Sequence, residues 1–544
     1  MHPSHLYTVC YTHESLLAEH FLPPHSSLEP FKLIIRSLSA RPASWVSSAR
    51  QLLKASASVR SLLLGMLATS AVVGMTACSH NVYQFPLYTF AGRPVPPSSL
   101  GERVLVGVTF NGSSGGLVIL DGLRDLRNNI QNTVQGYSIS GFSGGAPSQI
   151  LNFPEQLRGY VYSNASPYPI NVVNYSTESS NGAAGSFGGA ANGIAISPDF
   201  ARIFAAVETS GQLVVIDQQL GQSYALNLPN VYKVASNTGD TVALAMVRNA
   251  DTLYRVVKLT NTQVTTPPPG AIDCQPNLLP VYCVVPVPGK FDRPYGAIFS
   301  LDGANAYVLN CGQECGGGSN GGAGISVIPQ APLQINLLPT NYPPVVSQTI
   351  SVPGGVTAAI LDSSNIYTSG QKLQPNGLYA GFLTVIPLST LVPGSPVSIS
   401  DGSHSKMLFA DDNTLWVGSQ ACANGQRAAL AAAGNTTQAA NYNCLTRVVL
   451  NGTTAPTASI VPAVNQNVPA IQVPYPNTDQ NHYYYGSLTG ICWIQGFNKV
   501  YTAYGGQIHA FRTGDGSEIN NVNITVQGTV LDVAYMDALT NTAN

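Results

Sequence analysis

Charged side chains are scarce in this 544-residue sequence, where they make up 9% of all residues, against about a quarter in an average soluble domain. The 24 basic and 26 acidic residues leave a formal net charge of -2 at pH 7. Such a chain has no excess positive charge to attract nucleic acid or an anionic membrane surface over long range. We therefore exclude nucleic acid from the expected partners.

Motifs for metal binding and for phosphate-dependent chemistry are also lacking. The histidines downstream of residue 78 are scattered: His80, His404, His482 and His509. Neither the H-E-x-x-H zinc motif nor a phosphate-binding P-loop occurs. Asp411-Asp412 is the tight acidic pair among the motifs, and we interpret it as a turn between strands. The sequence therefore predicts no catalytic residue, no metal site and no cofactor.

One apolar run stands out in this polar chain. It extends from Leu62 to Met75, follows a segment with three basic residues, and ends in Thr76-Ala77-Cys78. A basic start, a short apolar core and small residues before a cut are typical of a secretory signal, and the run is too short for a comfortable membrane span. We predict a signal peptide over 49–77. A short anchor helix that stays in place is an alternative.

The residues at the end of that run indicate how the protein is anchored. Met75-Thr76-Ala77-Cys78 resembles the lipobox of bacterial lipoproteins, with Met75 where that motif usually has Leu. The resemblance implies that Cys78 is the first mature residue and carries diacylglycerol on sulfur and a fatty acyl group on nitrogen. Each buried methylene contributes about 0.8 kcal/mol, so such an anchor holds firmly. We expect an exported protein, membrane-anchored through lipid and facing the periplasm or the cell exterior; an ordinary signal peptide cut near Ala77 is the alternative.

The segments around the signal differ from the rest of the chain. Residues 1–48 show no clear pattern, and because signal peptides seldom begin so late, we expect them to be a non-native or disordered extension. Residues 78–102 are rich in Pro and Ser without periodicity, which predicts a flexible tether behind the anchor. A single folded domain is expected over 103–544.

Short apolar runs separated by turn residues recur along that domain. The most regular stretch, Gly193 to Asp217, predicts three strands joined by tight turns. Further copies begin at Gly296, Thr357, Lys406 and Gly490, and weaker ones cover 157–175 and 240–258. Repeats of a few strands at a spacing of roughly 40 to 60 residues are typical of a β-propeller. A solenoid or a pair of β-sandwiches is the alternative.

The first of these repeats also resembles a known family. Gly193 to Asp199, followed by Ile203-Phe204 and then Val215-Ile216-Asp217, is similar to the YVTN family of β-propeller repeats. The resemblance implies a propeller fold. Because it extends to lactone-hydrolysing propellers, it also implies an alternative function, a lactonase-type hydrolase with its site at the mouth of the central channel.

The two ends of the domain are complementary. Arg103 to Asp121 supplies strands of a blade without a first strand, and Gly528 to Asn541 supplies a first strand with nothing after it. Pairing the two would remove open sheet edges. We therefore predict an all-β protein: a β-propeller of seven or eight blades of four-stranded antiparallel sheet, closed by pairing of the N- and C-terminal strands.

Six cysteines lie as sequence-near pairs in segments outside the repeats. In an exported protein such pairs predict disulfides that fasten loops, while zinc binding is the alternative. The candidate pairs are Cys274 with Cys283, Cys311 with Cys315, and Cys422 with Cys444. Cys492 lies in the apolar "GICWIQG" and is expected to be a small buried side chain.

A tyrosine cluster is the candidate ligand surface. Tyr483, Tyr484 and Tyr485 are consecutive, and three exposed rings would stack on a sugar or a peptide. A loop with one tyrosine packed inward is the alternative. With no catalytic motif, we expect a binding or scaffolding module at the bacterial envelope, whose ligand is an unknown protein or carbohydrate. A purely structural envelope protein is a further hypothesis.

Overall fold

The computed structural model describes residue 90 and residues 92–540, apart from 130–131, 260–266, 276–278, 319, 339–341, 374–378, 423–432, 434–442, 453–454, 464–470, 473–482 and 520–522. All of these lie within one compact unit, Tyr88–Asn544. The predicted extension 1–48, the predicted signal peptide 49–77 and Cys78 lie outside the described residues.

The described residues form eight antiparallel sheets, here called blades 1 to 8 in the order in which the chain reaches them. The strands of the first four blades are as follows. Blade 1 has β1 (Arg103–Thr109), β2 (Gly115–Asp121), β3 (Asn128–Asn129), β4 (Asn132–Ser138) and the last strand, β36 (Thr529–Tyr535). Blade 2 has β5 (Pro147–Asn152), β6 (Arg158–Ser163), β7 (Pro169–Asn174) and β8 (Ser179–Ser186). Blade 3 has β9 (Gly193–Ile196), β10 (Arg202–Val207), β11 (Gln212–Asp217) and β12 (Gln222–Asn227). Blade 4 has β13 (Val231–Ser236), β14 (Ala243–Val247), β15 (Leu253–Leu259), β16 (Asp273–Cys274) and β17 (Val281–Val287).

The strands of the other four blades follow the same plan. Blade 5 has β18 (Pro294–Phe299), β19 (Asn305–Asn310), β20 (Gly324–Pro329) and β21 (Gln348–Ser351). Blade 6 has β22 (Gly355–Leu361), β23 (Asn365–Leu373), β24 (Tyr379–Pro387) and β25 (Val397–Ile399). Blade 7 has β26 (Ser403–Ala410), β27 (Thr414–Gln420), β28 (Leu445–Val449) and β29 (Thr457–Ile460). Blade 8 has β32 (Leu488–Ile494), β33 (Lys499–Tyr504), β34 (Gln507–Arg512) and β35 (Glu518–Ile519). A short parallel pair, β30 (Ile471–Gln472) and β31 (Tyr483–Tyr484), precedes blade 8, and 3-10 turns cover Glu208–Ser210, Gly312–Cys315 and Ala331–Leu333.

The predicted β-propeller is confirmed, and the open choice between seven and eight blades is settled at eight. Both weak repeats form blades. The copy at 157–175 gives β6 and β7 of blade 2, and the copy at 240–258 gives β14 and most of β15 of blade 4. The most regular repeat forms β9, β10 and β11 as predicted.

Each blade needs both of its neighbours to cover its two faces. On β10, Ile203 and Ala205 belong to an apolar cluster with blade 2, whereas Phe204 and Ala206 belong to a cluster with blade 4. This is the two-residue alternation of a strand, with both faces buried. Every interface between neighbouring blades has its own buried cluster, including the interfaces of blade 1 with blades 8 and 2. The blades therefore form a closed ring around a central channel.

The ring is closed by pairing of the first and last strands, as predicted. β1 pairs with β36 from Val104 opposite Tyr535 to Thr109 opposite Thr529. A buried ion pair supports the closure, because Arg103 donates from Nη2 to Asp537 Oδ1 at 2.7 Å and from its main-chain nitrogen to Oδ2 at 2.7 Å. Nη1 of the same guanidinium donates to Glu178 Oε1 at 3.0 Å. Arg103 therefore connects the two chain ends to blade 2.

The end of the predicted tether 78–102 contacts the propeller. Ser98 donates from its main-chain nitrogen to Glu178 at 2.8 Å, and Leu100 is buried in the cluster between blades 1 and 2. The last residues of the segment therefore contact the body, and the flexible tether over 78–102 stays a prediction. Among the described residues, no helix has the length and apolar character needed to cross a membrane.

Candidate binding site in the central channel

The innermost strand of each blade lines the channel. This is the first strand of the blade in sequence, except in blade 1, where it is β36. Contacts between blades across the channel show which side chains point inward. Tyr295 Oη and Ser403 Oγ lie 3.5 Å apart, although they belong to blades 5 and 7. Lys406 Nζ lies 3.6 Å from Asp532 Oδ1, and these residues belong to blades 7 and 1. Blades that are not neighbours in the ring meet across the channel, so these four side chains point into it.

Lys233 completes this group, which we call the channel cluster: Lys233, Tyr295, Ser403, Lys406 and Asp532. Lys233 Nζ of blade 4 lies 4.9 Å from the centroid of the Tyr295 ring, within the range of a cation–π interaction. All five residues lie in the first half of their strands or near the middle, so they gather at one level of the ring.

A glycine makes room for the contact between blades 7 and 1. Gly490 lies on β32 of blade 8, and a Cβ there would lie 2.2 Å from Asp532 Oδ1. Without a side chain at this position, the Asp532 carboxylate extends past blade 8 towards Lys406. Its other oxygen accepts a hydrogen bond of 2.8 Å from the main-chain nitrogen of Ile150. Asp532 is thus fixed by blade 2 on one side and faces the channel lysine on the other.

Burial changes the pKa values of the charged members of the cluster. Asp532 is 1% exposed, and burial raises the pKa of its carboxyl group, an effect that Lys406 opposes. Burial also lowers the pKa of the Lys233 ammonium, against the opposing effect of Tyr295. The positive charges of Lys406 and Arg248 lower it further. Positive charge is therefore crowded here, with two ammonium groups to one carboxylate.

His404 also lies on β26 but takes no part in the cluster. Its Nε2 lies 2.7 Å from the main-chain oxygen of Ser400, and its side chain is fully buried. Burial lowers the pKa of this imidazole to about 4, which keeps it neutral at pH 7. Among the described residues, its Nδ1 has no hydrogen-bond partner.

The described residues place no group of three or more His, Cys, Asp or Glu side chains where they would hold a metal ion. The acidic pair forms a turn, as predicted, and links blade 7 to blade 8. Asp411 Oδ2 accepts hydrogen bonds from Trp493 Nε1 and the main-chain nitrogen of Asn498, both at 2.7 Å. Asp412 Oδ2 accepts one from Thr513 Oγ1 at 2.6 Å.

The sequence does contain the G-x-S-x-G pattern, for example at Gly141–Gly145. In hydrolases this pattern places a nucleophilic serine on a sharp turn between a strand and a helix. Here the segment lies in a loop between the strands β4 and β5. The structural context of a nucleophile is therefore not met at Ser143.

All three predicted disulfides are present: Cys274 with Cys283, Cys311 with Cys315, and Cys422 with Cys444. The cysteine at 492 is free and buried, and its burial raises the pKa of the thiol. This position fits the predicted packing role.

The prediction that the three consecutive tyrosines form a ligand surface is wrong for Tyr485. Tyr485 is fully buried, donates from its hydroxyl to Glu518 Oε2 at 2.6 Å and stacks on His509 at a ring distance of 4.3 Å. It packs between blades 7 and 8 and offers no ligand surface, as in the inward-packed alternative. The side chains of Tyr483 and Tyr484 lie outside the described residues, and their role stays a prediction.

The channel cluster is not among the predicted site residues, although the sequence contains a signal for it. Lys233, Lys406 and Asp532 are charged residues inside apolar strands of a chain with few charges. Each also stands in the first strand of its repeat. Charged residues at that position of a propeller repeat are the pattern that would have indicated them.

Comparisons with known proteins give a fold likeness alone. No protein-family model matches the chain, and no curated protein matches it. Among solved structures, hydrazine synthase of Kuenenia stuttgartiensis is 11% identical with a TM-score of 0.42, over 70% of this chain and 99% of that one. The dihydro-heme d1 dehydrogenase NirN is 12% identical with a TM-score of 0.45, over 84% and 83%. A 6-phosphogluconolactonase-like protein from Bacteroides uniformis is 11% identical with a TM-score of 0.39, over 80% and 99%. At these values none of them supports a function.

Proposed function

We propose that the protein is an exported, lipid-anchored β-propeller that acts as a binding module at the bacterial envelope, with the central channel as its ligand site. The channel cluster is the observation that carries this proposal. Two ammonium groups and two hydroxyl groups face the channel between several blades, and they belong to Lys233, Lys406, Tyr295 and Ser403. In ring-shaped folds, a ligand in the channel contacts side chains from the largest number of blades.

The chemistry of the channel favours binding over the hydrolase alternative. A lactonase-type site with acidic residues at the channel mouth would need several carboxylates or imidazoles converging on the axis. Among the described residues of the first strands, the acidic or imidazole groups are Asp532 and His404. The imidazole is hydrogen-bonded to the main-chain oxygen of Ser400, in the connection between blades 6 and 7, so Asp532 and His404 do not form a catalytic pair.

Two observations support an exported, anchored protein. Three disulfides are typical of proteins that fold in an oxidising compartment such as the periplasm or the cell exterior. The lipobox-like sequence that ends at Cys78 supplies the site of attachment. Scaffolding without a small ligand would use the same anchor and the same propeller.

Anchoring is tested by intact-mass analysis and membrane fractionation of the protein produced in a bacterium that processes lipoproteins. We expect a mature chain that begins at Cys78 and carries acyl mass, and we expect Cys78→Ser to abolish acylation and release the protein from the membrane fraction. Cys10→Ser is the matched control, because this cysteine lies upstream of the predicted cut. An unmodified, soluble wild-type chain would refute the anchor.

A further inference from the structure

The channel cluster has more positive than negative charge. Lys406 faces Asp532 at 3.6 Å, a distance beyond a direct hydrogen bond. Among the described residues, Lys233 has no carboxylate within ion-pair distance, and its close partner is the ring of Tyr295. A half-buried ammonium without a counter-charge is costly, because burial removes part of its hydration.

The charged residues Arg248 and Glu208 pair with each other and leave the Lys233 ammonium without a counter-charge among the described residues. Arg248 lies over the ring of Tyr232, with Cζ 4.7 Å from the ring centroid, and that ring contacts Tyr295 at 5.5 Å. Glu208 pairs with Arg248, not with Lys233. An anion near Lys233 Nζ would therefore lower the electrostatic energy of the folded protein.

The cluster also has the groups that bind an oxyanion. Ammonium groups and hydroxyls donate hydrogen bonds to carboxylate and phosphate oxygens. Three blades supply ammonium and hydroxyl donors to the cluster, from the side chains of Lys233, Lys406, Tyr295 and Ser403. The Lys406 side chain is 18% exposed, so the cluster is not sealed from solvent.

We infer that the channel cluster is a binding site for a small oxyanion, a carboxylate or a phosphate group, held between Lys233 and Lys406 with the hydroxyls of Tyr295 and Ser403 as further donors. The site rests on the proposed binding function and gives it a ligand class. Asp532 limits the net positive charge of the empty site.

The test is calorimetric titration of the full-length protein, purified in detergent at pH 7 and low ionic strength, with inorganic phosphate and, separately, malonate. We expect binding of at least one of them at millimolar or lower concentration, and a loss of affinity of about tenfold or more in Lys233→Met. Lys290→Met is the matched control, because Lys290 is exposed and outside the channel, and it should bind like the wild type.

A second measurement separates binding from folding. Because Lys233 has no carboxylate within ion-pair distance in the described part of the chain, Lys233→Met without anion should unfold at a temperature no lower than the wild type. Phosphate or malonate should raise the unfolding temperature of the wild type and of Lys290→Met more than that of Lys233→Met. Asp532→Asn should bind the anion at least as well as the wild type. Equal affinity in Lys233→Met, no binding of either anion, or weaker binding in Asp532→Asn would overturn the site. Acylation at Cys78 is measured separately, so failure of the anion site and failure of the anchor are distinguishable.

Discussion

His404 shows how one buried side chain links stability to pH. Its imidazole is packed inside blade 7 with Nε2 on the Ser400 oxygen, and burial lowers its pKa to about 4 from an ordinary value of 6.5. Below pH 6.5 the unfolded chain binds a proton here while the folded protein does not. The free energy of unfolding should therefore fall as the pH falls from 6.5 to 4, by up to about 3 kcal/mol from this residue.

Replacing this imidazole should flatten that part of the pH profile. We expect His404→Gln to lose less stability than the wild type between pH 7 and pH 4.5, even if it is less stable at pH 7. The measurement is urea unfolding at both pH values, and above pH 7 both proteins should show little change from this site. An identical loss in variant and wild type would contradict the prediction.

The residues of the channel cluster show why the candidate site could not be predicted from sequence. Lys233 belongs to blade 4 and Lys406 to blade 7, so the two are far apart in the sequence. Each appears there as a single charged residue within a strand. Their proximity depends on how many blades complete the ring and on which side of each strand faces inward. The role of Gly490 could not be predicted either. The need for glycine at this position becomes visible only when the structure shows that Asp532 lies beside it.

At the scale of the element, the disulfides are expected to differ in their contribution to stability. Cys422 and Cys444 are 22 residues apart, whereas Cys311 and Cys315 are 4 apart. In the chain-entropy model, closing the longer loop stabilises by about 3 kcal/mol and the shorter one by about 2 kcal/mol. The longer loop's cysteines are also fully buried in the cluster between blades 7 and 8, so their loss leaves a cavity there.

We therefore expect the double variant Cys422→Ala with Cys444→Ala to lower the free energy of unfolding more than Cys311→Ala with Cys315→Ala. Denaturant unfolding without reductant measures both, and the 311–315 variant serves as the matched control for removal of a disulfide. The prediction is wrong if the short-loop variant is the less stable of the two.

Strands were the best predicted elements, because each carries its own pattern. The segment Gly193 to Asp217 alternates apolar residues between visible turns, and the structure has strands there. Blade 2 was harder because its outer strand, β8, is composed of Ser, Asn, Gly and Ala. Blade 4 was harder because a long insertion separates β15 from β17. In both, the packing of a neighbouring blade supplies what the local pattern lacks.

At the scale of the whole molecule, the closure between β1 and β36 depends on a buried charge. Asp537 is 2% exposed and is the main partner of Arg103, which is 1% exposed. Removing one member of a buried ion pair leaves the other charge without compensation, at a cost of about 3 to 5 kcal/mol. Glu178 retains one contact to the same guanidinium, so the lower end of that range is expected.

Asp537→Asn should therefore lower the free energy of unfolding by about 3 kcal/mol. Asp302→Asn is the matched control, because Asp302 lies in an exposed turn and its replacement should change the free energy of unfolding far less than Asp537→Asn does. Chemical unfolding of both variants against the wild type checks this. A loss at Asp537 no larger than at Asp302 would mean that the ion pair does not hold the ring closed.

The pairing of β1 with β36 also fixes when folding can finish. The chain is made from its N-terminus, so β1 has a bare edge until residues 529–535 follow, after all the other blades. Contacts between such distant parts of the sequence form slowly. Until that last strand arrives, the nascent protein is an open arc whose free edge can accept a foreign strand. A chaperone that binds the nascent chain would therefore protect it best by covering the unpaired edge of β1.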